Sequence, residues 1–258
     1  MKKSALVLSG GGALGIAHVG AISVLEKTYK FEWYAGVSAG AIIASLLALG
    51  NNAAQVNKIL KSTNILNLMF DFHPTQFGLV SGRNIEDTLE EIFEDTQIED
   101  LNTPLYIGTT DFSTGEQVII TSGRLTDAVR ASISVPVMFE PYWHEEEDRW
   151  LVDGGLSQNF PLDSAMTEYK GKRIIGIDVG SSIDTHVDFG KRNFWKRGDN
   201  IKHAFIRSIR IMFQNQKSIK PDDRVILLEP NVGKYLATDI AHYDKLKQAG
   251  YRCAKAIQ

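Results

Sequence analysis

Apolar residues in this chain gather in short unbroken runs rather than in long alternating ones. Residues 5–8, 33–37, 105–109, 117–121, 174–179 and 225–228 read as strands, several of them apolar throughout. A strand covered on both faces needs an apolar side chain at every position, which is the mark of a parallel sheet with helices on either side. Stretches 14–27, 39–49, 53–62, 85–93, 125–131, 202–214 and 243–256 read as helices. Residues 142–144 and 149–152, joined by the acidic 145–148, form a predicted hairpin. Strand and helix alternate without an internal repeat, a low-complexity segment or a linker. The pattern predicts one domain over residues 1–258, an α/β fold built as a three-layer α/β/α sandwich with a mostly parallel central sheet.

Composition sharpens this picture in a few places. A chain of 258 residues with 43% apolar content can bury a sizeable core. A net charge of −3 gives the chain no nucleic-acid character. Cys253 stands alone, which excludes an intramolecular disulfide and a cysteine-based metal cluster. It lies in the predicted last helix, where a small packed residue is expected. No His/Asp/Glu spacing suggests a bound metal, and no cofactor is expected. No apolar run approaches the roughly 20 residues of a membrane span. Met1-Lys2-Lys3 followed by 5–8 imitates a signal peptide, but the apolar run stops at a triple glycine and no cleavage site follows. A cytoplasmic protein is expected.

The candidate chemistry begins at Gly36-Val37-Ser38-Ala39-Gly40, between a strand and the apolar helix-forming run 41–49. Gly-x-Ser-x-Gly in that setting is the pattern of a nucleophile elbow. The turn is so tight that Gly36 and Gly40 are steric requirements, and it pushes the Ser38 hydroxyl outward. The helix starting at Ala39 aims its positive end at the same point. The bland alternative is a helix N-cap serine.

A second feature follows strand 5–8: Gly10-Gly11-Gly12-Ala13-Leu14-Gly15. Consecutive glycines leave backbone N–H groups free to form an anion-binding nest at a helix start. Gly10, Gly12 and Gly15 also fit the dinucleotide fingerprint. That reading needs an acid about 20 positions on, at the end of a second strand. Glu32 is near that distance but precedes the apolar core of its strand, which ends in the serine elbow instead. A third feature is Trp150-Leu151-Val152-Asp153-Gly154-Gly155, where a strand delivers one carboxylate and two glycines turn the chain away. Asp before Gly is commonly a turn former. A carboxylate at a strand end is equally well placed to meet a nucleophile from another strand end.

These three pieces, in this order, resemble the patatin-like phospholipase family, its bacterial members most of all. The likeness extends to Arg130-Ala131-Ser132-Ile133-Ser134-Val135-Pro136, to Asn159-Phe160-Pro161 and to Thr110-Asp111-Phe112-Ser113-Thr114-Gly115, and so covers residues 5 to about 229. One departure is visible: Ala13-Leu14 stand where many relatives have an Arg or Lys near the end of the glycine loop. The resemblance implies a Ser–Asp dyad without histidine, with Ser38 as nucleophile and Asp153 as the direct base. Backbone N–H groups of Gly10, Gly11 and Gly12 with that of Ala39 would form the oxyanion hole. Gly15, Gly36, Gly40, Gly154 and Gly155 complete the motifs.

An ordinary aspartate, with a pKa near 4, is a weak base toward a hydroxyl. A dyad therefore needs a low-polarity pocket, for which Trp150, Leu151 and Phe160 are the sequence candidates. A dyad also predicts no essential group titrating at the histidine reference of about 6.5. The rival is a Ser–Asp–His triad. His203 and His242 follow Asp153 in the required chain order, while His18 and His144 read as surface or core-edge residues.

Two segments bear on substrate. Residues 65–80 are rich in Ile, Leu, Met and Phe, and either line an acyl channel or pack in the core. Residues 188–220 hold nine Lys/Arg against two acids, interleaved with aromatics, which fits either a peripheral membrane contact or a core-facing helix with a basic outer face. The expected function is a serine lipid acyl hydrolase acting on fatty-acyl esters of phospholipids or lysophospholipids. A general carboxylesterase of small soluble esters and a catalytically idle adaptor on the same fold are the alternatives.

Overall fold

The computed structural model describes residues 1–63, 65, 82–180, 200–216 and 222–257. Its strands are β1 (Lys2–Leu8), β2 (Tyr29–Val37), β3 (Leu105–Asp111), β4 (Gln117–Ile120), β5 (Tyr142–His144), β6 (Arg149–Asp153), β7 (Ile174–Ile177) and β8 (Val225–Leu228). The α-helices are α1 (Ile16–Leu25), α2 (Ala39–Ala48), α3 (Ala53–Ser62), α4 (Arg83–Phe93), α5 (Leu125–Ser132), α6 (Gly155–Gln158), α7 (Leu162–Glu168), α8 (Asn200–Asn215) and α9 (Tyr243–Lys255). The strands form one sheet in the order β5-β6-β3-β2-β1-β7-β8, with β4 also paired to β3. From β3 to β8 the neighbours on this path are parallel; β6 joins β3, and β5 joins β6, antiparallel.

Period-two alternation explains why the central strands are apolar throughout. Leu6 and Leu8 point into the larger core with α1 and α2, whereas Ala5 and Val7 point to the opposite face, where Trp33, Ala35, Leu162 and Ala165 form a second cluster. The sheet thus separates two cores, and helices cover both faces: the sandwich expected from the sequence.

The expected elements recur with small shifts at their ends. Residues 12–15 form a 3₁₀ turn before α1, and β7 stops at Ile177. The short helices α6 and α7 are additions to the sequence pattern, because four and seven residues hold too few turns for a periodic signal. Of the apolar segment 65–80, Ile65 is fully buried and the rest lies outside the described residues.

Register brings the three sequence features to one end of the sheet. Leu8 pairs with Gly36, Val37 with Gly108, and Asp153 with Thr109. The glycine loop that follows Leu8 and the elbow that follows Val37 therefore leave the carboxyl ends of adjacent strands, where open α/β sheets bind ligands. Strand β3 lies between β2 and β6, so Ser38 and Asp153 approach each other across a single strand.

Candidate active site

Ser38 adopts φ 54 and ψ −124, a backbone region that non-glycine residues enter only under constraint. Its hydroxyl makes no capping bond to α2, although the helix starts at Ala39. The N-cap alternative is therefore not the observed arrangement: the first turn of α2 keeps its N–H dipoles directed at the serine instead. Glycines make the elbow possible. A side chain on Gly36 would collide with the carbonyl of Gly40, and one on Gly40 would come within 2.5 Å of Leu8 O.

Asp153 closes β6 and is 1% exposed; Ser38 is 4% exposed. The Gly155 N–H donates to Asp153 Oδ1 at 2.7 Å. Oδ2 is buried and has no hydrogen bond of ordinary geometry among the described residues. Burial pushes the Asp153 carboxyl up to about 6, against the weaker pull of the Ser38 hydroxyl and the Gly155 N–H toward the charged form. Of these two the Ser38 hydroxyl pulls harder than the Gly155 N–H, which sets the serine beside the carboxylate.

Ser38 and Asp153 open onto a pocket that encloses about 690 Å³, counting its mouth. Leu14, Val135, Met138, Phe139, Ile209 and Phe213 supply most of its walls, together with Gly11 and Gly12. None of the three residues nominated from sequence to lower the polarity lines the pocket, although Leu151 is fully buried in the larger core. Trp150 is 49% exposed and stacks edge-on against Trp143, while Phe160 packs with the second core on the far face of the sheet. Alternation along β6 turns Trp150 away from the side that Asp153 faces, so the apolar shell comes from segments remote in sequence.

The glycine loop divides into two structural parts. Gly10 donates its N–H to Asn159 O at 3.0 Å, and Asn159 Nδ2 returns a bond to Gly10 O at 3.3 Å. Gly10 is therefore an anchor and not a free donor, and a side chain there would strike Asn159 and approach Ser38. Gly11 and Gly12 line the pocket beside Ser38, with Gly12 at φ 57. Among the described residues neither donates its N–H to a backbone carbonyl outside regular elements. Gly15 lies against Ala39 and Gly154 against the carbonyl of Gly108, close approaches that only glycine permits. The sequence presents Asn159 only as part of a motif. Its anchoring role depends on a contact spanning 149 residues, which no local pattern signals.

The dinucleotide alternative loses its acid. Glu32 pairs with Lys3 at 2.9 Å and accepts from Tyr169 Oη at 2.9 Å, next to Phe31, which faces Ser4 toward the start of β1. That is the end of the sheet opposite the glycine loop. Of the histidines, His18 is fully buried, engages Ser9 O through Nε2 at 2.9 Å, and is held down at about 4 by burial. His144 accepts the Glu147 N–H at 3.3 Å, and His242 rests against the Tyr235 ring. Of these two residues, His18 and His144, expected at the surface or the core edge, His144 is 2% exposed and His18 is fully buried. The side chain of His203 lies outside the described residues. Among those residues there is no cluster of three His, Cys, Asp or Glu placed to hold a metal ion, and no helix long and apolar enough to cross a membrane.

Known proteins share this architecture. VipD from Legionella pneumophila superposes with a TM-score of 0.60 at 15% identity, covering 100% of this chain and 67% of VipD, a likeness of fold. Patatin-like phospholipase domain-containing protein 6 of Mus musculus is 27% identical over 98% of this chain, which corresponds to 20% of the mouse protein. An uncharacterised NTE-family protein of Mycobacterium tuberculosis is 27% identical over 97% of this chain and 46% of its own length. The chain therefore spans less than half the length of these relatives. The profile of the patatin-like phospholipases matches residues 6–166, more than half of the chain and both the glycine loop and the elbow, and the protein belongs to that family.

Proposed function

We propose that this protein is a serine lipid acyl hydrolase that cleaves fatty-acyl esters of phospholipids or lysophospholipids through an acyl-enzyme. The observation that carries the reading is a buried carboxylate, Asp153, lifted to about 6 beside a constrained serine in an apolar pocket. Asp153 takes the proton as Ser38 Oγ attacks the ester carbonyl. The tetrahedral oxyanion collects N–H bonds from Gly11, Gly12 and Ala39, and collapse expels the alcohol with the proton from Asp153. Water, deprotonated by the same carboxylate, then attacks the acyl-enzyme and releases the fatty acid. Low polarity makes the aspartate a stronger base than in water and suits an acyl chain.

Helix α8 supports contact with a lipid surface. Ile209 and Phe213 line the pocket, while Ile211 and Met212 on the same helix are 44% and 43% exposed. The basic flanks at 188–199 and 217–220 lie outside the described residues. Interfacial helices combine such apolar side chains with Lys and Arg.

A fluorophosphonate probe and product analysis by mass spectrometry on mixed bacterial lipids test the reading. Wild type should be labelled and release fatty acid; Ser38→Ala should do neither while keeping its circular dichroism spectrum. Release of fatty acid by Ser38→Ala at more than a few per cent of the wild-type rate would reject the mechanism. Hydrolysis of short p-nitrophenyl esters with no gain from longer chains would replace the lipid substrate by small soluble esters.

A further inference from the structure

Nucleophile and base are delivered by different strands, yet one turn holds the backbone of both. Ser132, the last residue of α5, is fully buried, and its Oγ accepts the Ser38 N–H at 2.9 Å while donating to Gly108 O at 2.7 Å. Two residues on, Ser134 O accepts the Asp153 N–H at 2.9 Å. The turn is itself tied down. Ser134 Oγ donates to Arg130 O at 2.8 Å and accepts from Arg130 Nη1 at 2.6 Å, and the Arg130 guanidinium lies over the Phe139 and Tyr142 rings.

We propose that Ser132 and Ser134 form a positioning clamp that sets the approach of Ser38 to Asp153. The proposal rests on the Ser38–Asp153 reading above and adds residues that touch neither substrate nor reacting atoms. Two features make the clamp specific. The Ser38 N–H belongs to the residue held at φ 54, where an unfixed backbone would relax toward ordinary geometry and carry the hydroxyl away from the carboxylate. Ser132 Oγ also spans β2 and β3, since Gly108 faces Val37 in the sheet, so one hydroxyl fixes the elbow to the strand that separates it from β6. Reactions of this kind tolerate about 1 Å of misplacement poorly, at a cost of roughly 10²-fold in rate.

The test compares Ser132→Ala with Leu246→Val, a core change in α9 away from the site. Thermal denaturation is measured first, and conditions are chosen in which both variants are fully folded. With a p-nitrophenyl acyl ester, Ser132→Ala should lower kcat by about 10- to 100-fold with KM within twofold of wild type. Its fluorophosphonate labelling should slow in parallel, and the acid limb of its kcat profile should move. Leu246→Val should keep wild-type kcat, labelling rate and pH profile. Ser132→Cys, which restores a weak donor and acceptor, should recover part of the loss. Ser134→Ala keeps the carbonyl that holds Asp153 and should lose less than Ser132→Ala. Wild-type kcat in Ser132→Ala, with Ser38→Ala inactive, overturns the clamp and leaves the nucleophile assignment standing. Equal losses in Ser132→Ala and Leu246→Val reduce Ser132 to a structural residue. Full activity in Ser38→Ala removes the reading beneath both.

Discussion

Gly155 fixes one oxygen of Asp153, donating its N–H to Oδ1 at 2.7 Å, and leaves Oδ2 buried without a comparable partner among the described residues. An ionised carboxylate so enclosed is under-solvated, which is the physical source of its basicity. Gly155 itself is pinned from the other side. The Phe213 ring occupies the space a side chain there would take, and Gln216 Nε2 donates to Gly155 O at 2.8 Å. The end of α8 therefore shapes the same carboxylate that its inner face helps to bury.

Activity should follow the ionisation of Asp153. Burial raises this carboxyl to about 6, and only the charged form accepts the serine proton, so kcat/KM should be full above that value and fall as pH drops through it. The sequence reading expects a dyad silent near the histidine reference, whereas burial of Asp153 puts the dyad's own acid limb close to that range. A profile flat down to pH about 4, the ordinary carboxyl value, would show that the pocket does not lift the base.

Stability should move in the opposite sense. The folded carboxyl holds its proton up to about 6, whereas the unfolded chain releases it near 3.8. Across that window the unfolded state ionises first, so stability is lost as pH rises and the loss is complete above about pH 7. Ionisation of the folded site then costs on the order of 3 kcal/mol. Asp153→Asn has no charge to bury. Its melting temperature should therefore gain on wild type between pH 4 and pH 8, with the constant cost of the amide cancelling in the comparison. A difference independent of pH would deny the buried charge.

Which parts of this were legible in the sequence follows from the range of the interactions. Strand and helix placement, the elbow and the glycine loop rest on contacts within a few residues, and they could be read from Gly36, Gly40 and the apolar runs. The pocket could not. Its walls come from Leu14, Val135, Phe139 and Phe213, brought together only when the sheet orders itself. The same holds for Ser132, whose bond to Ser38 spans 94 residues, and for Gly10, whose donor is consumed by Asn159 at a separation of 149. Sequence points to the glycine loop as a whole, and tertiary pairing divides its donors.

Gly12→Ala should lower kcat by about 10²-fold, the scale for one oxyanion donor. At φ 57 an added Cβ forces the loop to move, and its N–H moves with it. Gly10→Ala should instead act through displacement of Asn159, so its loss should come with a lower melting temperature. Unchanged ester hydrolysis in Gly12→Ala would take the loop out of the oxyanion hole.

Charge reversal of Lys196, Arg197 and Lys202 should weaken binding to anionic vesicles, and added salt should weaken wild-type binding in the same way. Turnover of a soluble short ester should be unaffected in the same variant. Equal vesicle binding by variant and wild type would return 188–220 to a core-facing helix with a solvated basic face.

Replacing histidines separates dyad from triad where a pH profile cannot. Removing Asp153 as Asp153→Asn should cost nearly as much kcat as Ser38→Ala, because residues that act as a unit lose the same function together. His18 is locked onto Ser9 O and held neutral in the core, so His18→Gln should destabilise more than it slows. His144 and His242 are engaged by Glu147 and Tyr235, and their alanine variants should keep substantial turnover. His203 is the decisive case, since it follows Asp153 in the chain order of a triad and belongs to α8, whose inner face lines the pocket. His203→Ala with near wild-type kcat leaves Asp153 as the direct base. A fall of 10³-fold or more in His203→Ala, with a normal circular dichroism spectrum, would assign the proton to that imidazole and make Asp153 its orienting partner.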